Sequence, residues 1–262
     1  VLTRAAFHSR FGERPLFGMV HLRALPGAPR FGGSLDEVIE AAVRDAWAIG
    51  EGGADGIVVE NFGDAPFFGS RVPAETIAAM TRVVSEIGRV FTKPIGVNVL
   101  RNDGVAALAV AAATGAAFVR VNVLTGAMLT DQGVIEGTAA EVLRARARIA
   151  PQVLVFADHM VKHAAPLAAY DPMQMAKDLR YRGLADALIV TGAETGAAAD
   201  PERLQQLRAA VDAPLLIGSG LTAANASLFG QADGAIVGTS LKGDDGAVDA
   251  GRVAAVRRAF SA

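Results

Sequence analysis

A chain of 262 residues that is 52% hydrophobic and carries 29 glycines is long enough for one large core. Its 25 basic and 27 acidic residues are dispersed and leave a net charge of −2, with no Lys/Arg run or aromatic platform, which argues against nucleic acid as a partner. Cysteine is absent, so disulfides, thiolate metal sites and a cysteine nucleophile are excluded, in keeping with a cytoplasmic protein.

The opening segment VLTRAAFHSRFGERP is interrupted by charges and does not read as a signal peptide. Beyond it, short apolar runs alternate with segments of helical length. The runs predict strands at 16–20, 56–60, 95–99, 118–122, 153–157, 187–191, 215–217 and 234–237, each bounded by Gly, Pro or Asp. Amphipathic or alanine-rich segments such as 34–50 and 73–90 predict the intervening helices. Ser34 followed three places later by Glu37 reads as a capping box. The uncharged stretch GVAALAVAAATGAAFV (104–119) falls short of the roughly 20 apolar residues of a membrane span and reads as a buried helix running into a strand.

Four helices close on a similar phrase, EGGADGIVVE, ATGAAFVRV, YRGLADALIV and FGQADGAIV, in which a glycine is expected to take a left-handed turn before a buried strand. Repeated βα units with near-continuous apolar strands imply a parallel sheet. Eight such units imply an α/β protein of one domain over residues 1–262, a (β/α)8 TIM barrel, with an open doubly wound sheet as the alternative.

Barrels of this kind place their chemistry where strands end, and that rule selects the candidate residues. They are His21 after the first strand, Glu60 and Asn61 at the second, Asn98 and Arg101 at the third, and Arg120 and Asn122 at the fourth. Asp158 and His159 end the fifth strand and Thr191 the sixth. The seventh and eighth end in glycines: Gly218-Ser219-Gly220 followed by a helix, and Gly238-Thr239-Ser240 followed by Lys242. Glycines let backbone N–H groups approach an anion, and a helix N-terminus adds positive potential, so this pair of loops predicts a phosphate site. The alternative is that the glycines only make tight turns. GSGLTA also fits a dinucleotide fingerprint, but it lies in the seventh unit and Asp233 stands at the wrong end of the eighth strand, so that reading is rejected.

The stretch FADHMVKHA concentrates polar groups beyond the fifth strand. Asp158 reads as a general acid or base, a cation ligand, or a loop cap. Lys162 reads as a substrate contact or a solvated charge, with Schiff-base chemistry less favoured. His163 reads as an imidazole oriented by Asp158 or a surface histidine, and His159, out of phase with Asp158, as a packing residue. Glu60 is a carboxylate at the mouth, and His21 divides between function and packing. Asn98, Arg120 and Asn122 interrupt apolar strands; unpaired burial would cost about 1–3 kcal/mol each, so they are expected to pair with one another or with a ligand. The long segment VLTGAMLTDQGVIEG, with Asp131, Gln132 and Glu136, is expected to be a lid or binding loop. A divalent metal could draw on Glu60, Asp158, His163 and His21, but the first strand lacks an H-x-H, and no cofactor is required.

Six stretches together are similar to the BtpA/SgcQ family: MVHLRALPGAP (19–29), VVENFGDAPF (58–67), VNVLRND (97–103), RVNVLTGAMLTDQGVIEG (120–137), VKHAAPL (161–167) and IGSGLT (217–222). The resemblance implies a (β/α)8 barrel and brings no established reaction. The family takes its name from a cyanobacterial role in photosystem I biogenesis, and some relatives are grouped with carbohydrate utilisation. His159 departs from the family pattern, in which a small or β-branched residue often follows the aspartate.

The combined expectation is an enzyme acting on a small phosphorylated molecule, a sugar phosphate or nucleotide-like compound, by isomerase, lyase or glycoside-cleaving chemistry. Ser219, Gly220, Thr239 and Ser240 would hold the phosphate, and Asp158 and Glu60 would move protons. Lys162, His163, Asn98 and Arg120 would orient the substrate. A non-catalytic assembly factor for a membrane complex and a metal-dependent hydrolase are the alternatives; a homo-oligomer is left open.

Overall fold

Strand and helix alternate along the chain, and in a computed structural model describing residues 1–192 and 199–261 they do so around a closed ring. Strands β1 (Leu16–His21), β2 (Gly56–Glu60), β3 (Ile95–Asn98) and β4 (Phe118–Val121) come first. A hairpin, β5 (Ala127–Thr130) and β6 (Gly133–Glu136), precedes β7 (Leu154–His159) and a short β8 (Ala164–Pro166). Strands β9 (Ala187–Val190), β10 (Leu215–Ile217) and β11 (Gly234–Val237) complete the set. Eight of these close as β1-β11-β10-β9-β7-β4-β3-β2, all pairs parallel, so the predicted TIM barrel is the observed one. Predicted strand boundaries agree to within two residues, the largest difference being β7, which carries Asp158 and His159 inside the strand.

Helix α1 (Arg4–Phe11) precedes the barrel, and α2 (Leu35–Glu51), α3 (Ala74–Val90), α4 (Gly104–Thr114), α5 (Ala139–Ile149), α6 (Pro172–Lys177), α7 (Pro201–Ala210) and α8 (Ala250–Ser261) surround it. Ser34 Oγ accepts the Glu37 N–H at 3.2 Å, as a helix cap should. The alanine-rich 104–119 stretch is α4 running into β4. Among the described residues no helix is long and apolar enough to cross a membrane.

Three local expectations are corrected. The long segment after β4 is an antiparallel hairpin, which β8 extends to a three-stranded sheet on the mouth side of the barrel; it is regular structure, not an open loop. Met128 and Ile135 face inward while Leu129 and Val134 lie outward, the alternation of a half-buried sheet. After β10 only a single 3-10 turn forms (Ala226–Phe229) in place of a helix. Asn225 donates to the Gly220 carbonyl, and its Oδ1 accepts the Thr222 N–H at 2.8 Å; such side-chain-to-backbone bonds hold a loop at the expense of a helix. Finally, Gly53 and Gly115 take the left-handed turn, at φ of 82° and 76°, but Gly183 and Gly230 do not. Leu184 takes it instead at φ 56°, and Gly183 is needed for closeness: a Cβ there would lie 2.7 Å from Thr125 Cγ2.

Two apolar layers hold the barrel. One lies between strands and outer helices. The other fills the lower half of the barrel itself, where Phe118 and Phe156 stack at 4.4 Å and Phe7 and Phe11 of α1 close the floor from below. Three aspartates pin that end. Asp55, Asp186 and Asp233 accept the first N–H of β1 (Leu16), the Val155 N–H of β7 and the first N–H of β10 (Leu215), at 2.8–2.9 Å. Each donates its own N–H back to the carbonyl of the residue it clamps. Leu2 N–H donates to Asp186, and Arg4 to Asp233, so the segment around α1 is tied to the same clamps.

Candidate functional site

Side chains alternate along each strand, so residues two apart share the barrel interior. Above the phenylalanine floor that alternation brings His21, Glu60, Asn98, Arg120, Asn122, Asp158 and Thr191 to the upper interior, all of them buried except His21, which is mostly so. On β10 and β11 the same level is occupied by Gly218 and Gly238. A Cβ at Gly218 would lie 2.3 Å from Ile189 Cγ2, and one at Gly238 would lie 2.9 Å from His21 Cε1. Polar side chains fill one half of the mouth and glycines leave the other half open. The result is a cavity of about 790 Å³, ample for a small metabolite.

The filled half is a network built on Asp158. Arg120 Nε and Nη2 each donate to one of its oxygens at 2.9 Å, and Asn122 Nδ2 donates to Oδ2 at 2.8 Å. Asn98 Nδ2 in turn donates to Asn122 Oδ1 and to the Arg120 carbonyl. The fork of a guanidinium matches a carboxylate edge on, which fixes the Arg120 head in the interior. Burial alone would lower the Arg120 pKa, but the Asp158 charge and hydrogen bonds more than reverse this, so it stays cationic. The Asp158 side chain is fully enclosed and forms no part of the cavity wall, whereas Arg120 and Asn122 do. The expected Asp158–His163 pair is not formed: among the described residues Asp158 is bonded to Arg120 and Asn122 alone.

Glu60 faces the cavity in a different condition. Its nearest ionisable partner is His21 Nε2 at 3.7 Å, beyond hydrogen-bond reach. Burial raises the Glu60 pKa, and the positive charges of Arg120 and Lys162 only partly oppose this. Burial also lowers His21, to about 3, helped by the charges of Lys242, Lys162 and Arg120. His21 is therefore a neutral imidazole, tilted against the Phe62 ring at 4.7 Å. A poorly solvated carboxyl beside a neutral imidazole and a fixed guanidinium is a constellation suited to proton transfer.

Lys162 and His163, in the loop after β7, both line the cavity. Burial lowers the Lys162 pKa, and Arg120 lowers it further against the pull of Asp158 and Glu60. Arg101, just beyond β3, lines it as well, its pKa lowered chiefly by burial, and its Nη2 donates to the Lys162 carbonyl at 2.5 Å. In the open half, Ser219, Gly220, Thr239 and Ser240 line the wall. The N–H groups of Gly220 and Thr239 have no acceptor among the described residues. Ser219 Oγ accepts the Gly192 N–H, and Ser240 Oγ donates to the Leu221 carbonyl, so these hydroxyls brace the loops. Because no long helix follows β10, the anion potential of this half rests on backbone N–H groups and not on a helix terminus.

Other candidates stand outside the cavity. Asn61 accepts the Leu100 N–H at 2.7 Å and donates to Asp64, tying two mouth loops together. Thr191 donates to the Met160 carbonyl. His159 is buried and donates from Nε2 to the Pro172 carbonyl at 2.8 Å, the packing role its phase suggested. The groups considered for a metal do not gather into a ligand set: among the described residues no three His, Asp or Glu come together. Sequence reasoning missed Arg30, which reaches the cavity from the loop after β1, and the Phe62 ring beside His21. The aromatic run FGDAPFFGS was a usable signal for the latter; nothing in APRFGG marks Arg30.

Comparisons with known proteins agree with the barrel. Residues 12–261 match the BtpA family, and the chain belongs to it. An uncharacterized protein of Pyrococcus furiosus is 46% identical over 88% of each chain. The photosystem I biogenesis protein BtpA of Synechocystis is also 46% identical, over 88% of this chain and 81% of that one. Among solved structures, the geranylgeranylglyceryl phosphate synthase of Thermoplasma acidophilum, in complex with sn-glycerol-1-phosphate, superposes with a TM-score of 0.61. It is 13% identical, covering 99% of this chain and 98% of that one, a likeness of fold.

Proposed function

We propose that this BtpA-family barrel is an enzyme that transfers protons on a small phosphorylated substrate, with Glu60 as the acid–base group. The observation that carries the reading is the divided mouth: a buried carboxyl without a hydrogen-bonded partner at the wall of a cavity whose opposite side is glycine, with N–H groups at Gly220 and Thr239 that have no acceptor among the described residues. The phosphate would lie against Gly218, Ser219 and Gly220 and against Gly238, Thr239 and Ser240, where backbone N–H groups can approach it closely. The glycerol phosphate bound in the structurally similar synthase supports that class of ligand.

Glu60, whose pKa burial raises above the ordinary carboxylate value, is the group at the cavity wall suited to take and return a proton. Neutral His21 beside it can relay a proton or polarise an oxygen without adding a charge. Arg120, held by Asp158, offers a fixed positive charge to an oxyanion that forms when a proton leaves carbon. Asp158 acts through Arg120 as a positioning residue. Isomerisation and carbon–carbon lysis next to a carbonyl share this step, and both suit the groups present.

The test has two arms. Thermal unfolding is followed against sugar phosphates, nucleotides and inorganic phosphate, with Ser219→Trp as the variant that blocks the phosphate end. A ligand at 100 times its dissociation constant adds about 2.7 kcal/mol, so stabilisation of the wild type and not of Ser219→Trp is expected. The stabilising compound is then incubated in D2O and followed by NMR, where deuterium should enter a C–H bond with the wild type and not with Glu60→Gln. If no phosphorylated compound shifts the transition, the reading fails.

A second reading, a non-catalytic assembly factor, is favoured by the name of the Synechocystis relative and by the outward Leu129 and Val134 of the mouth sheet, each 52% exposed. Ligand stabilisation without turnover of any binder would move the balance toward it.

A further inference from the structure

The barrel order places β3 and β4 directly across the ring from β10 and β11. Arg101 follows β3, and Lys162 stands on the loop after β7, β4's neighbour, so both cations face the glycine half across the cavity that they line in common. Arg120 and Asp158 neutralise each other below them. Arg101 and Lys162 have no such bonded counter-ion: the carboxylates of Asp158 and Glu60, and for Arg101 that of Asp131, act on them only at longer range. Among the described residues neither side chain forms a salt bridge, and the only bond of the Arg101 head is to the Lys162 carbonyl. Arg101 is 9% exposed and Lys162 half-buried. Two cations partly withdrawn from water without a salt-bridge partner are a cost to the fold, which an anion arriving from the cavity would offset.

From this arrangement we infer that Arg101 and Lys162 form a second anion subsite, and that the substrate carries a carboxylate or second phosphate at the end remote from its phosphate. This rests on the phosphate site proposed above. The bond from Arg101 to the Lys162 carbonyl holds the two heads on one side of the cavity. The Arg101 fork keeps free N–H groups for a two-oxygen acceptor, and Lys162 adds a point charge beside it. Phosphorylated sugar acids and sugar bisphosphates have this two-ended character; simple sugar monophosphates do not.

Matched probes test it with the full chain by titration calorimetry: glucose 6-phosphate against 6-phosphogluconate for a remote carboxylate, and fructose 6-phosphate against fructose 1,6-bisphosphate for a remote phosphate. In at least one pair the doubly anionic member should bind about tenfold tighter or more, as expected for charge-assisted hydrogen bonds. Lys162→Gln should bring that ratio close to one, and Lys162→Arg should restore most of it, which separates a lost charge from a disturbed loop. Equal affinities within both pairs, or a preference that survives Lys162→Gln, would overturn the second subsite while leaving the phosphate site standing. Failure of all four compounds to bind would remove both together.

Discussion

The two ends of the barrel are made of the same strands and treat buried charge in opposite ways. At the floor, Asp55, Asp186 and Asp233 each accept a strand N–H, and each meets a cation whose head reaches water: Arg257, Arg146, and Arg4 with Arg208. At the mouth, Asp158 is locked to an enclosed arginine, Glu60 has only a distant imidazole, and one oxygen of Asn98 is buried without a hydrogen bond. The three aspartates at the floor are paired and anchor the strands. Among the described residues several polar groups at the mouth are left short of partners, which is a cost to the fold that the floor does not carry in the same way.

The largest expected effect breaks the comparison at one point on each side. Asp158→Ala should cost about 3–5 kcal/mol in denaturant unfolding, because it strands the Arg120 charge in the interior. Phe7→Ala in the floor should cost a similar ~3–5 kcal/mol through a cavity, but should leave ligand affinity nearly unchanged, whereas Asp158→Ala should reduce it. Loss of binding in both variants would show that the ends are not independent.

Next in size is an acid effect confined to the mouth. The folded state holds His21 at about 3, below its ordinary 6.5, so between these values the unfolded chain binds the extra proton and stability falls as pH falls. By about pH 4 the wild type should have lost about 3 kcal/mol relative to His21→Gln, measured as the difference between their stability–pH curves. Parallel curves would contradict a buried neutral imidazole. The smallest effect has the opposite sign. Glu60 has a raised folded pKa, so its contribution is present below its unfolded value and is lost as pH rises through the folded one. Glu60→Gln should therefore stabilise the protein by about 1–3 kcal/mol, more at higher pH, while abolishing deuterium incorporation into the substrate.

Much of this was legible in the sequence because strand residues at the mouth break an apolar rhythm. Arg120 and Asn122 inside FVRVN, and Glu60 closing GIVVE, stand out against their neighbours. Pairing was harder to read: a carboxylate next to two histidines in sequence turned to an arginine on the adjacent strand, since register sets Arg120 beside Phe156, two residues below Asp158 on one face. The hairpin after β4 was missed although AMLT and GVIE alternate about a two-residue Asp131-Gln132 turn, the period-two signal of a strand pair. The segment LTAANASLFG reads as helical from its alanines, and the Thr222–Asn225 bonds override that propensity. Helix α1 was also passed over, yet Thr3 caps it, and Phe7 and Phe11 at a spacing of four declare one apolar face.

The ties of α1 bear on the order in which the chain matures. Arg4 is bonded to Asp233 across 229 positions, and Leu2 to Asp186 across 184. On a ribosome this segment emerges long before its anchors are made, with Phe7 and Phe11 uncovered meanwhile. The floor can be sealed only once Asp233, just ahead of the eighth barrel strand, has been synthesised, so a segment made well before its anchors is among the last to find its place.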